Sequence, residues 1–160
     1  MCWKRRSRTP GSGRLSLPVR HRFDPASIPQ FSAIRCCYRF GSETQAVSRY
    51  FVCVAHVSRH AFCLKATSQT EAYENRPDRR VGIVFVPAGT LPFFNRDTII
   101  QPDNQLAIPY FTLTTQHASG EFAILGAMYD GFAGSLAKAV RASHTMSPQQ
   151  KARLLGILGL

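Results

Sequence analysis

The hydrophobic pattern changes character once along this chain. From residue 49 to about residue 125, apolar positions come in short β-type runs broken by turn residues. Beyond residue 128 they recur every four positions. Residues 49–57 and 61–66 predict a hairpin of two apolar strands around a short polar turn. Residues 81–86, VGIVFV, predict a strand ended by Pro87-Ala88-Gly89, and short strands are expected at 91–94, 98–100 and 121–125. Pro102-Asp103-Asn104 reads as a turn after the second of these. Residues 106–113 predict a further strand, which Pro109 places at an edge or a bulge. The polar segment 70–80, with Asn75-Arg76-Pro77-Asp78, reads as a loop. Met128, Phe132, Leu136 and Val140 trace the buried stripe of an amphipathic helix. Ser147-Pro148-Gln149-Gln150 then supplies an N-cap, a proline at the first helical position and a glutamine at the third. That is a capping box, opening a helix through residue 158. Strands first and helices last predict the α+β class, a small curled antiparallel sheet with helices packed on it.

Residues 1–30 lack this patterning and are rich in Arg, Ser, Gly and Pro. They predict a disordered or loosely attached segment. Residues 31–41, FSAIRCCYRFG, add one candidate strand, and the folded unit is expected to begin near Ser48. The division is therefore a basic leader over 1–48 and a folded domain over 49–160.

Charge sharpens that division. The chain carries 20 Lys/Arg against 9 Asp/Glu, a formal net charge of +11. Residues 1–48 contribute +7 of it and residues 49–160 only +4. A basic balance favours a polyanionic partner, RNA or DNA before an acidic protein. No apolar run approaches the ~18–20 residues of a membrane span, so no membrane partner is expected. The charged opening MCWKRRSRTPGSGR has no apolar stretch behind it to make a secretory signal, and the chain reads as cytoplasmic. Five cysteines, with no CxxC pair, argue against a disulfide framework.

Candidate chemistry gathers around the predicted hairpin. Arg49 opens its first strand, and the Thr67-Ser68 hydroxyl pair closes its second. A guanidinium can neutralise a phosphate bidentately, and a hydroxyl can hydrogen-bond a reacting oxygen. RNA supplies its own nucleophile, the 2′-OH, so such a pair suits phosphodiester cleavage without a metal. His56 or His60 is the candidate general acid or base. Cys53, His56, His60 and Cys63 superficially resemble a zinc set. Residues 53 and 56 fall on opposite faces of a regular strand, as do 60 and 63, so no metal site is expected. No other cofactor motif is present. Arg76, Arg79 and Arg80 in the polar loop are placed to track an RNA backbone. Phe94, beside Phe93 and Arg96, is the candidate for exposed base stacking.

KATS at 65–68, TIIQPDNQLAIP at 98–109 and the ending FAILGAM…LAKAVRASHTMSPQQKARLLGIL resemble PemK/MazF-like plasmid-maintenance toxins of type II toxin–antitoxin systems. The resemblance covers residues 49–160. It implies an SH3-like β-barrel that cleaves single-stranded RNA without a metal, pairs as a homodimer and is silenced by an antitoxin protein. Arg49 falls at that family's catalytic arginine, and Thr67 or Ser68 at its catalytic hydroxyl. Two departures point to an alternative. Tyr50 stands where the family has a proline after the arginine, and 38–48, YRFGSETQAVS, lacks its opening Gly-Asp-hydrophobic strand. The alternative is a catalytically inactive barrel that binds nucleic acid or a protein.

Overall fold

The hairpin predicted from the apolar runs forms the middle of the molecule. The computed structural model describes residues 22–160. Its two strands are β2 (Val47–Val57) and β3 (His60–Thr67), paired antiparallel from Tyr50↔Ala66 to Val57↔His60. Ser58 and Arg59 make the turn, both with positive φ (47° and 61°), the backbone signature of a two-residue hairpin loop.

Four more strands extend this pair. β1 (Ser32–Tyr38) lies against β2, β4 (Val84–Val86) against β5 (Thr98–Pro109), and β5 against β3, while β6 (Ala123–Ala127) lies against β1. The order is β4-β5-β3-β2-β1-β6, every pair antiparallel, and the sheet curls as a half-barrel. The class is α+β, as the pattern of runs predicts.

Each face of the sheet has its own core. On one, Ala33, Val52, Leu64 and Ile100 pack under Phe132, Leu136 and Val140 of α4 (Phe132–Ala142) and Leu154 of α5 (Pro148–Ile157). On the other, Ile34, Phe51, Cys63 and Ile108 pack with Ile28 and with Leu113 of α3 (Tyr110–Ser119). The capping box of α5 forms as predicted. Ser147 N–H donates to Gln150 Oε1 at 2.8 Å, and Gln150 N–H donates to Ser147 Oγ at 3.2 Å.

Several expectations are corrected. The stretch 98–113 holds one strand and the start of a helix, where two strands and a turn were expected. Pro102-Asp103-Asn104 is a three-residue bulge within β5: Lys65 pairs with Gln101 while Leu64 pairs with Gln105. Strand pairing ends at Pro109, whose missing N–H cannot continue a ladder and whose φ of −60° suits the start of a helix. Tyr110 N–H donates instead to Arg59 O at 3.0 Å, and α3 runs to Gly120, which ends it in the left-handed conformation. Residues 91–94 form a turn in which Phe94 N–H donates to Leu91 O at 3.1 Å, and Gly89 N–H donates to Phe94 O across the longer loop. The 70–80 segment contains two single-turn helices, α1 (Glu71–Glu74) and α2 (Pro77–Arg80). Of the run 81–86, only Val84–Val86 is strand.

The boundary near Ser48 is also displaced. β1 hydrogen-bonds strands on both sides, with Ala33 and Ile34 fully buried, so the fold begins well before residue 48. Residues 1–21 of the expected leader lie outside the described residues. Placing β1 in the interior carries an energetic consequence. Ile34→Ala is expected to lower unfolding free energy by about 2–5 kcal/mol, the range for an aliphatic side chain deleted from a closed core. Urea denaturation checks this, and a midpoint unchanged by the substitution would detach 31–41 from the cooperative unit.

Candidate functional site

Four of the predicted site residues meet in one shallow cleft. Thr67 and Ser68 at the end of β3 line it with Phe94 and Arg96, and Tyr50, Phe93 and Thr98 complete its walls. Its volume is about 60 Å³. Tyr50 enters through strand alternation, since it shares a sheet face with Val52 and so lies across from Arg49's face. Its ring is 43 % exposed and meets Phe94 edge-on at 6.2 Å, while Phe94 meets Phe93 edge-on at 4.9 Å. Phe94 itself is buried, which corrects its expected role: Tyr50 and the half-buried Phe93 present the accessible aromatic surface. Thr67 Oγ1 accepts the Gln69 N–H at 3.2 Å, and Thr98 Oγ1 donates to Arg96 O at 2.9 Å, so two hydroxyls shape the rim.

Arg49 stands outside this cleft. Its guanidinium pairs with Glu43, its Nε donates to Tyr38 O at 3.4 Å, and it lies 5.0 Å from the centre of the Phe40 ring. Lys65 Nζ also lies 5.0 Å from that ring. Two cations thus share one aromatic ring, and one carboxylate neutralises the arginine. No hydrogen bond joins Arg49 to Thr67 or Ser68 among the described residues. The Glu43 carboxyl is held below its ordinary pKa, first by accepting the Phe40 N–H at 2.9 Å and then by Arg49.

The remaining predicted residues are dispersed. Arg76 precedes α2, Arg79 lines a cavity with Asp103 and Thr145, and Arg80 lines grooves beside β4 with Phe85. None of the three lines the Thr67–Ser68 cleft. His56 has both ring nitrogens engaged. Nε2 lies 2.8 Å from Ile28 O, which can only accept, so Nε2 carries the proton and Nδ1 accepts from the Tyr110 hydroxyl at 2.7 Å. His60 donates from Nδ1 to Ser58 O at 2.8 Å. Neither histidine lines the cleft.

The zinc-like spacing has a different outcome from simple alternation. A bulge at Val54 leaves Cys53 opposite Cys63 but Ala55 opposite Phe62, so Val54 and Ala55 face the same core. His56 is thereby turned onto the face of Cys53, with Sγ and Nε2 3.9 Å apart. His60 is not drawn in, and no group of three or more metal-ligating side chains occurs among the described residues. Burial pushes the Cys36 thiol up to about 12, and the Cys53 hydrogen bond together with burial pushes Cys63 up. Both thiols and that of Cys53 are sealed from solvent.

Neither the protein-family models nor the curated proteins give a match to this chain.

Two outcomes follow from this geometry. Because the Glu43 carboxyl ionises more readily folded than unfolded, its contribution to stability is complete above its unfolded value, about 4.3. It is lost as pH falls through the folded value. Glu43→Gln should flatten the acid limb of stability against pH, as read by thermal melting between pH 3 and 6. A superimposable acid limb would dismiss the Glu43 contacts. Native-state alkylation with iodoacetamide is expected to spare Cys36, Cys53 and Cys63 until denaturant is added, with the sites read by peptide mass mapping.

Proposed function

We infer that this protein is a non-catalytic single-stranded RNA-binding module whose binding surface is the Tyr50–Phe93–Arg96 cleft. One observation carries it: accessible aromatic rings, two hydroxyls and an exposed arginine share a cleft from which Arg49 is absent. Rings accept any base by stacking, a guanidinium and hydroxyls hold phosphate and sugar, and no acidic side chain lines the cleft to repel them. The basic balance of the whole chain acts in the same direction at longer range.

The endoribonuclease reading has its own support in the strand register. One step beyond the pair Tyr50↔Ala66, Arg49 would lie opposite Thr67. The resemblance to PemK/MazF-like toxins asks for that juxtaposition. In such an enzyme the 2′-oxygen bonds to phosphorus as the bond to the 5′-oxygen breaks, and Arg49 stabilises the charge on the phosphorane. Glu43 works against it by neutralising the guanidinium before any phosphate arrives.

Fluorescence anisotropy with a labelled single-stranded RNA tests the module. Tyr50→Ser should cost about 1–3 kcal/mol of binding, the measured scale for one stacked base. Arg96→Ala should reduce the slope of log affinity against log salt by about 0.7. Affinity and slope that move with neither substitution would remove the cleft. Incubation of the RNA without divalent metal separates the two readings. The module leaves RNA intact even as Glu43→Gln, whereas cleavage that appears with Glu43→Gln and vanishes with Arg49→Ala establishes the enzyme.

A further inference from the structure

The hairpin has a second functional end. About seven residues along β2 from Tyr50, some 23 Å at ~3.3 Å per residue, a cavity of about 520 Å³ opens at the Ser58–Arg59 turn. Its volume lies within the ~300–1,000 Å³ of small-molecule sites. Arg22, Asp24, Arg59, Tyr110, Phe111 and Thr114 are among its walls. It shares no residue with the aromatic cleft.

Its chemistry is two-sided. Phe111, in the first turn of α3, is 82 % exposed, so its ring is free to stack against a planar ligand. Arg22 and Arg59 bring two guanidiniums to the same cavity, and neither has an ion-pair partner among the described residues. Arg59 is held there at a conformational cost. It and Ser58 both occupy the left-handed region without being glycine, and Arg59 O accepts the Tyr110 N–H, binding the turn to α3. The Tyr110 hydroxyl is committed to His56, so that ring offers a wall rather than a donor. One Asp24 carboxylate oxygen accepts the Ala26 N–H at 3.0 Å. The other is left to accept from a ligand.

We propose that this cavity binds a nucleoside 5′-monophosphate unit. The base stacks on Phe111, the phosphate lies between Arg22 and Arg59, and the second Asp24 oxygen accepts an exocyclic amino N–H. An aromatic ring alone leaves the guanidiniums unanswered, and an inorganic anion leaves Phe111 uncovered. Asp24 also sets a preference: adenine, cytosine and guanine carry an amino group to donate, and uracil does not. The acidic side chain disfavours a phosphotyrosine, which has a ring and a phosphate but no such donor.

Calorimetric titration of the full chain with AMP, CMP, UMP, adenosine, inorganic phosphate and phenyl phosphate (the phosphotyrosine ring and phosphate without an amino group) tests the assignment. AMP and CMP should bind more tightly than UMP, and each more tightly than adenosine or phosphate. Phe111→Ala should weaken AMP about tenfold, with a melting curve to show that removal of this exposed ring leaves the fold intact. Arg59→Asn should weaken AMP to a similar extent while keeping a residue that tolerates the left-handed turn. Tyr50→Ser should leave AMP affinity unchanged, so failure here and failure of the RNA cleft are separable. No heat with AMP at millimolar concentration, or an affinity that ignores both Phe111→Ala and Arg59→Asn, overturns the proposal. So does phosphate or phenyl phosphate binding as tightly as AMP. Once AMP is bound, a 5′-phosphorylated oligoribonucleotide that displaces it supports an RNA chain end as the source of the unit, and one that cannot displace it supports the free nucleotide.

Discussion

The middle strands of this sheet bury both of their faces, and the rest of the molecule is arranged to make that tolerable. Ile34, Phe51 and Cys63 are sealed on one side, and Ala33, Val52 and Leu64 on the other. Strands of this kind cannot rest one face on water, so cover is required above and below. Helices α4 and α5 supply it on one side. On the other, the chain crosses from β5 to β6 through α3, across the whole width of the β3–β2–β1 surface. Gln116 fixes the crossing. Its side-chain amide accepts the Cys37 N–H at 2.8 Å and donates to Cys37 O at 2.7 Å, so one α3 side chain stands in as a strand partner for β1. The same residue's backbone carbonyl accepts from Glu121 and Phe122, which directs the chain into β6.

Two buried faces also decide where chemistry can sit. No charged side chain is buried among the described residues, because an ion within either core would lose its hydration without a partner. At one end of the hairpin this yields Tyr50, Thr67, Ser68 and Arg96, and at the other Arg59 with Arg22. Arg49 shows what happens between these ends. It sits on β2 just before the buried run, against Phe40, and acquires Glu43 from the β1–β2 connection. Partial burial makes an unpaired guanidinium costly, and pairing it lowers the charge available to a phosphate. The contact that stabilises Arg49 and the contact that neutralises it are the same interaction.

Much of this was legible where periodicity is strong. The hairpin, the stripe Phe132–Leu136–Val140 and the Ser147 capping box each follow from local chemistry acting over a few residues. Within 106–113 the strand holds through Pro109 and fails from Tyr110. Tyr110, Phe111 and Thr112 favour strands on propensity, whereas burial of Leu113 in the core that holds Ile108 decides for a helix. Pro109 and Gly120, eleven positions apart, were the available punctuation for α3. β1 was harder to weigh, because its Arg35, Cys36 and Cys37 lower the apolar content of a strand whose burial depends on partners distant in the chain. The cleft was half legible. The KATS and FFNR segments were singled out, but Tyr50 was set aside for Arg49, a choice that turns on which face of β2 each residue occupies.

Face assignment is also where a single residue has the largest effect. Regular alternation predicts that residues 53 and 56 diverge, and the Val54 bulge reverses this for His56. The reversal turns the imidazole onto the face of Cys53. It lets Nε2–H donate to Ile28 O and Nδ1 accept from Tyr110, so one ring ties together β2, the segment after the 3₁₀ turn Pro25–Ser27 and the start of α3. The same parts of the chain border the larger cavity: Asp24 and Pro25 open the 3₁₀ turn that Ile28 closes, Arg59 follows β2, and Tyr110 and Phe111 begin α3. Without the extra residue in β2, His56 would point into the opposite core and the Tyr110 hydroxyl would lose its acceptor. The bulge therefore acts at a distance from the cavity it shapes, by choosing the face on which one histidine emerges.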